Sequence, residues 1–314
     1  MGKPHLTMIT VKENYTPEQA KAFVRRRDRL FNERLQGIAD RILEKKDENG
    51  RPIRIVALAG PSCSGKTTAA KKLSEAFMQA GKNAITISID DFYIERSLLM
   101  ERAGDGEVDF DSPDTIDIEA LSKCIDEIFD DDCCDIKVPV YDFVSGKSTS
   151  VKVIPCDPEG DDIYIFEGIQ AFYPNVRKLF EGHGTASVFI NVISGVMVGE
   201  KVVSGNKIRF LRRLVRDYAR RDASAQLTFR LWKGVRANEE MNIYPNISCA
   251  DYTIDSLLGY DIQMLRPYAE KILSELPADD KYSARAAEIL DFIRKSGIID
   301  SSYISSDSLF HEFI

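Results

Sequence analysis

The sequence predicts an α/β fold built on a five-stranded parallel sheet with helices on both faces. Short apolar runs alternate with amphipathic, helix-period stretches between residues 53 and 256. The runs are apolar along their whole length, which marks strands covered on both sides and joined by helical crossovers. The first run, IRIVAL, leads into AGPSCSGKTTAAKKL (59–73), a glycine-bearing turn that opens a helix.

The elements follow in chain order. Residues 16–46 read as a helix, because Phe23, Leu30, Phe31, Leu35, Ile38 and Ile42 recur at three- and four-residue steps. Arg25, Arg26 and Arg27 lie off that stripe and read as its solvated face. DENGRP (47–52) is a turn. Strand 53–60 and helix 66–80 flank the glycine turn, and AITISID (84–90) is a second buried strand ending in Asp90. Residues 117–129 form an amphipathic helix, and KVPVYDFV and SVKVIP read as a hairpin about SGKST. DDIYIFEG (161–168) and ASVFINV (186–192) are the third and fourth strands. The longer stretch SVFINVISGVMVG reads as a strand running into a loop. A basic helix (207–222) and a fifth strand (250–256) follow, and YDIQMLRPYAEKILSEL and ARAAEILDFIRKSG close the chain as helices.

Composition narrows the function. With a net charge of −8 over 314 residues, the chain is a poor default binder of nucleic acid or anionic membrane. No run reaches the roughly 18 apolar residues of a membrane helix, and the N-terminus has no signal-peptide core. Cys63, Cys124, Cys133, Cys134, Cys156 and Cys249 form no C-x-x-C and have no histidine at metal-ligand spacing. They read as reduced thiols of a cytoplasmic protein, the adjacent Cys133 and Cys134 included, since neighbours rarely reach disulfide geometry.

The stretch from Gly60 to Thr67 fits G-x-x-x-x-G-K-[ST], the phosphate loop of the P-loop NTPase fold. Its glycines let successive N–H groups turn toward phosphate oxygens, and the following helix adds its positive end. The expected ATP-binding set is Gly60, Ser62, Cys63, Ser64, Gly65, Lys66, Thr67 and Thr68. Lys66 would reach the β- and γ-phosphates, and Thr67 would offer its hydroxyl to Mg²⁺. A guanine-reading N-K-x-D is missing: Asn206-Lys207 continues Ile-Arg. DPEG (157–160) precedes a strand instead of following one, which argues against a GTPase switch.

Ligands of open parallel sheets sit at the carboxyl ends of the strands. The phosphate loop, Asp90 and Glu167 all end strands, so they are expected in one crevice. Asp90 is placed to take a proton from an attacking hydroxyl and Glu167 to hold Mg²⁺. In KIRFLRRLVRDYARRD, Arg213 and Arg216 share one helical face, where arginine forks can neutralise phosphoryl oxygens. Leu211, Leu214, Val215 and Tyr218 give that helix a packing face, which leaves some of its arginines as ordinary surface. Trp232 reads as packing in preference to base stacking.

GPSCSGKTT, DDFY, FDSPDTID, PVYDFVSGK, FEGI, LRRLVRD and Ala250-Asp251, in this order, resemble the uridine kinase branch of the P-loop kinases, related to phosphoribulokinase. RDYARRDASAQLTFRLWKGVRANEEMNIYP, MLRPYAEKIL and SDSLFHEFI further resemble bacterial uridine-kinase-like nucleoside kinases, here without their threonyl-tRNA-synthetase-like N-terminal region. The resemblance implies an N-terminal helical extension (1–50), a P-loop kinase domain (51–258) with a lid at about 205–236, and a C-terminal helical extension packed on that domain (259–314). It implies Asp90 as general base for a nucleoside 5′-hydroxyl and Asp111 as acceptor from ribose hydroxyls. It also implies Arg213 on the sugar, Arg216 and Arg221 on the ATP phosphates, and Tyr141 and Phe143 as walls of the base pocket. Catalysis would then rest on Asp90, Lys66 and Arg216.

The pattern departs from the pyrimidine enzymes at three places. Gly146 stands where they carry a base-reading His, Ala223 where they carry an Arg, and Leu231 near a Gln that Gln226 could replace. Sugar and phosphate chemistry therefore carries over and base choice does not. The expected partner is a small nucleoside, with no nucleic acid and no membrane; homo-oligomerisation stays open. Two rivals stand beside this reading. One is a kinase of another small alcohol such as a sugar phosphate, with Arg209 or Arg212 binding that phosphate. The other is an ATP-binding regulator on RNA, using the Arg-rich helices at 24–34 and 207–222.

Overall fold

The computed structural model describes residues 8–104, 112–130, 135–156, 160 and 162–314. Asp111, Cys133, Cys134 and most of DPEG lie outside these residues. In chain order the elements are β1 (Met8–Val11), α1 (Pro17–Glu44), β2 (Ile55–Ala59), α2 (Lys66–Gln79), β3 (Ala84–Ser88) and α3 (Arg96–Ala103). Next come α4 (Ile118–Phe129), β4 (Asp135–Asp142), β5 (Lys147–Pro155), β6 (Ile163–Glu167), α5 (Pro174–Leu179) and β7 (Thr185–Asn191). The chain closes with β8 (Gly195–Val198), β9 (Lys201–Val203), α6 (Gly205–Arg221), α7 (Ala225–Asn238), β10 (Tyr252–Asp255), α8 (Asp261–Ser274) and α9 (Ser283–Ile293).

The central sheet has five parallel strands in the order β10-β7-β2-β6-β3. Neighbouring residues on each strand point to opposite faces, so the two apolar sets divide cleanly. Val56, Leu58, Ile165, Val188 and Ile190 join a core with α1, α2, α6 and α8. Ile55, Ala57, Tyr164, Phe166 and Phe189 join a second core with α4 and the hairpin β4–β5. Both faces are covered, as the sequence predicts.

α1 starts where Thr16 and Gln19 cap each other, each side chain accepting the other's backbone N–H at 3.3 Å, a reciprocal capping box. Its apolar stripe lies on this chain, against α2 and β10. Arg27 departs from the expected solvated face. Its guanidinium donates to the carbonyls of Leu258 (2.7 Å) and Leu257 (2.9 Å).

Two further expectations are corrected. The stretch after β7 is no loop: Gly195–Val198 pairs in parallel with β1 and antiparallel with β9, making a small second sheet. A four-residue apolar run with no polar alternation leaves strand and loop hard to tell apart without the partner strand. The second core strand ends at Ser88, and Asp90 sits in the 3₁₀ turn Ile89–Phe92 that follows.

Candidate active site

The carboxyl ends of three adjacent strands form the floor of the site. Leu58 of β2 pairs with Glu167 of β6, which pairs with Ser88 of β3. The phosphate loop leaves β2 one residue later, and the turn carrying Asp90 leaves β3 at once.

The loop is held from behind. A loop that aims its N–H groups inward turns carbonyls outward, and these need donors. Arg209 donates to the Ser62 carbonyl at 3.0 Å and Arg212 to the Cys63 carbonyl at 3.4 Å, while Arg213 reaches Ser62 Oγ at 3.1 Å. Gly60 has no room for a side chain: a Cβ there would stand 2.2 Å from the Ile190 carbonyl oxygen. Gly65, at φ 94°, adopts the left-handed conformation that glycine tolerates. The Ser64 hydroxyl is buried without a hydrogen-bond partner, and Lys66 Nζ rests 3.5 Å from the Pro61 carbonyl.

The arginine helix is solvated at its ends, where Lys207, Arg220 and Arg221 are exposed, but not along its middle. Arg209 and Arg212 have fully buried side chains. Arg209 makes a two-pronged pair with Glu239 at 2.6 and 2.7 Å. Arg212 bonds Asp261 through Nε (2.8 Å) and Nη2 (2.6 Å) and also donates to the Ser256 carbonyl (2.8 Å). Neither cation is left for an acceptor phosphate. Arg213, Arg216 and Arg221 gather on buried Asp217, at 3.1, 2.7 and 3.7 Å. Asp217 escaped the sequence reading, although its spacing of four from Arg213 and Arg221 is the signal of helix ion pairs. Arg221 remains 60% exposed.

Asp90 and Glu167 meet as predicted. Burial pushes the Glu167 carboxyl up to about 7; Lys66 opposes the shift, and the negative charges of Asp90 and Glu312 reinforce it. Asp90 Oδ1 accepts a hydrogen bond from Gln170 Nε2 at 3.0 Å, and the same amide donates to the Tyr93 hydroxyl at 3.0 Å. Gln170 is fully buried. It and Tyr93 were missed, though each directly follows a recognised motif residue, in FEGIQ and DDFY.

The hairpin β4–β5 supplies the side wall. Tyr93, Tyr141 and Phe143 form an aromatic cluster with ring centroids 5.0–5.6 Å apart. Asp91 Oδ1 accepts the Tyr141 N–H at 3.2 Å and ties the hairpin to the Asp90 turn. At Gly146, read from the sequence as a departure from the base-reading His, the space belongs to Arg96. A Cβ at Gly146 would lie 2.8 Å from Arg96 Cβ, and Arg96 donates to the Phe143 and Val144 carbonyls.

Two candidates lie elsewhere. Gln226 lines a separate cavity with Tyr218, Ile272 and Leu276, so it does not stand in for a base reader. Trp232 is buried edge-on against Phe210, with centroids 5.5 Å apart, as the packing reading expects. Among the described residues no cluster of three or more His, Cys, Asp or Glu side chains forms a metal cage, and no helix is long and apolar enough to cross a membrane.

A Danio rerio protein named Uridine-cytidine kinase 2-B is 30% identical over 159 residues, covering 47% of this chain and 58% of that protein. A Borrelia duttonii Uridine kinase is 28% identical over 211 residues, covering 64% of this chain and 86% of the relative. The solved structure of a candidate fructose transport system kinase from Silicibacter sp. TM1040 superposes with a TM-score of 0.52 at 20% identity, over 70% of this chain and 98% of that one; it shows the shared fold. The Phosphoribulokinase / Uridine kinase family model matches residues 55–263, from the first core strand past the last, and the chain belongs to that family.

Proposed function

We propose that the protein is an ATP- and Mg²⁺-dependent kinase that phosphorylates the 5′-hydroxyl of a nucleoside. One observation carries the reading: Glu167 and the Asp90 turn stand at adjacent strand ends beside Lys66, so that Asp90 and Lys66 both act on the Glu167 charge.

The residues suit the expected ligands. The crowding at Gly60, the left-handed Gly65 and the unpartnered Ser64 hydroxyl are features of a cradle for phosphate oxygens. Thr67 and Glu167 would hold Mg²⁺, since a carboxylate this buried is favoured only beside a cation. The ion when bound would draw charge from the phosphate oxygens.

This chain's own side chains do the rest. Asp90 takes the proton of the acceptor hydroxyl, and Gln170 fixes its orientation. Lys66 supplies positive charge at the phosphates. Arg213, which bonds Ser62 Oγ of the loop, would contact the sugar, and Arg216 and Arg221, gathered with it on Asp217, would meet the ATP phosphates. Tyr93, Tyr141 and Phe143 would flank the acceptor. Asp111 keeps its proposed ribose contact from the resemblance alone.

The rivals lose ground on the arginine helix. Arg209 and Arg212 are committed to Glu239 and Asp261, which removes the cations assigned to a sugar phosphate. Burial takes the same two cations from the face an RNA-binding regulator would use, whereas Arg25, Arg26, Arg29, Arg220 and Arg221 stay exposed, and salt-dependent RNA retention would test that rival.

The test is product formation from ATP and Mg²⁺ with uridine, cytidine, adenosine, guanosine, inosine and ribulose 5-phosphate. A nucleoside 5′-monophosphate is expected, with uridine or cytidine first by the names of the relatives. ATP binding with no product from any acceptor would overturn the reading.

A further inference from the structure

The last turn of the chain lies on the phosphate loop. The 3₁₀ turn Leu309–Glu312 buries Leu309 and Phe310, and Phe313 after it is also buried. Leu309 packs on the loop so closely that a Cβ at Gly65 would stand 2.5 Å from its Cδ1. Phe313 lies under the Arg212 guanidinium, 4.5 Å from its ring centroid. Three polar ties hold the segment. Lys72 Nζ bonds Asp307 at 2.8 Å, Ser308 Oγ donates to Asp28 at 3.2 Å, and Arg220 donates to the carbonyls of His311 (2.5 Å) and Ile314 (2.8 Å).

The segment delivers one charge to a specific place. Glu312 Oε2 accepts from Thr68 Oγ1 at 3.0 Å and from the Thr68 N–H at 3.4 Å. Thr68 is the third residue of α2, and Gly65, the cap of that helix, has no side chain to bond the free N–H groups. A helix N-terminus behind a glycine loop holds anions through those N–H groups. Glu312 therefore puts a carboxylate on donors that a bound polyphosphate would use. Its charge is also felt by Glu167 on one side and Arg216 on the other.

We propose that Glu312 is an internal competitor for the phosphate cradle, an autoinhibitory contact that must leave Thr68 before a nucleotide seats. The proposal rests on the phosphate-loop reading above and deepens it. Glu312 is only partly buried, so its carboxylate can swing to solvent while Leu309, Phe310 and Phe313 stay in the core. Lys72 and Arg220 keep the turn at hand, which makes the competition intramolecular and independent of protein concentration.

The experiment measures the affinity of the full chain for ADP and for inorganic pyrophosphate by calorimetry, in wild type, Glu312→Gln and Glu312→Ala, with thermal unfolding as a check on folding. Loss of the competing charge should tighten both ligands by about tenfold, the scale of one charge-assisted hydrogen bond. Pyrophosphate isolates the phosphate cradle from any effect on a base. Affinities that are unchanged or weaker in both folded variants overturn the proposal and leave Glu312 as a cap on α2. Failure of all three proteins to bind either ligand overturns the phosphate-loop reading as well, and so separates the two failures.

Discussion

At the scale of single residues the site is a balance of two carboxylates with different surroundings. Asp90 is partly exposed and held by one amide; Glu167 is buried against Lys66. Asp90→Asn keeps the Gln170 contact in shape and removes the base, so transfer should fall by about 10²–10⁴-fold with ATP affinity retained. Full activity in that variant would sink the mechanism. Gln170→Leu should lower kcat while leaving KM for ATP in place, because the amide acts only through Asp90 and Tyr93. Glu167 makes a prediction about pH. Its carboxyl titrates near 7 in the fold and near 4.5 in a free chain. Between those values the folded chain holds a proton that the unfolded chain has released, so stability falls as pH rises through the window and the cost is complete above it. In the absence of nucleotide and divalent ions, Glu167→Gln should gain about 3 kcal/mol at pH 8 and under about 1 kcal/mol at pH 5. An equal difference at both pH values in denaturant titrations would rule that account out.

At the scale of elements, α6 shows what a sequence hides. Its position and helical period were legible from Leu211, Leu214 and Val215, and so was its basic excess. The direction of its arginines was not. Their partners Glu239 and Asp261 stand 30 and 49 residues downstream of Arg209 and Arg212, beyond any local rule. By contrast the strands, the phosphate loop, Asp90 and Glu167 were legible, since each depends on a short run and on the one place where parallel strands end. The small sheet of β1, β8 and β9 needed a strand far away in the chain, and it was not read. The burial of Arg212 carries its own test. Arg212→Met leaves Asp261 charged in a site with no exposed side-chain surface, at a cost of about 3–5 kcal/mol. The double variant Arg212→Met with Asp261→Asn should recover part of it. An Arg212→Met protein with wild-type stability in urea would mean that the pair is solvated after all.

At the scale of the whole molecule, the two terminal segments belong to the same core as the sheet. Val24, Phe31, Leu35 and Ile38 from α1, Leu73 and Phe77 from α2, and Ile293, Phe310 and Phe313 from the C-terminal end form one continuous apolar cluster. Polar bonds cross it: the Tyr260 hydroxyl and Ser308 Oγ both donate to buried Asp28 on α1, and Arg27 holds the carbonyls that precede α8. An extension that shares its core cannot melt by itself without exposing apolar surface of the nucleotide-binding sheet. The whole chain should therefore unfold together. Trp232, the only tryptophan, reports from the α6–α7 packing against Phe210, whereas Phe31 lies in α1. Phe31→Ala should lower stability by about 3–5 kcal/mol and shift the Trp232 fluorescence transition and the far-ultraviolet circular dichroism transition together. If the fluorescence midpoint stays at its wild-type value while part of the helical signal is lost early, α1 is a separate unit. The shared core would then not be what holds the extension, and the C-terminal turn would rest on its ties to α2 and α6 alone.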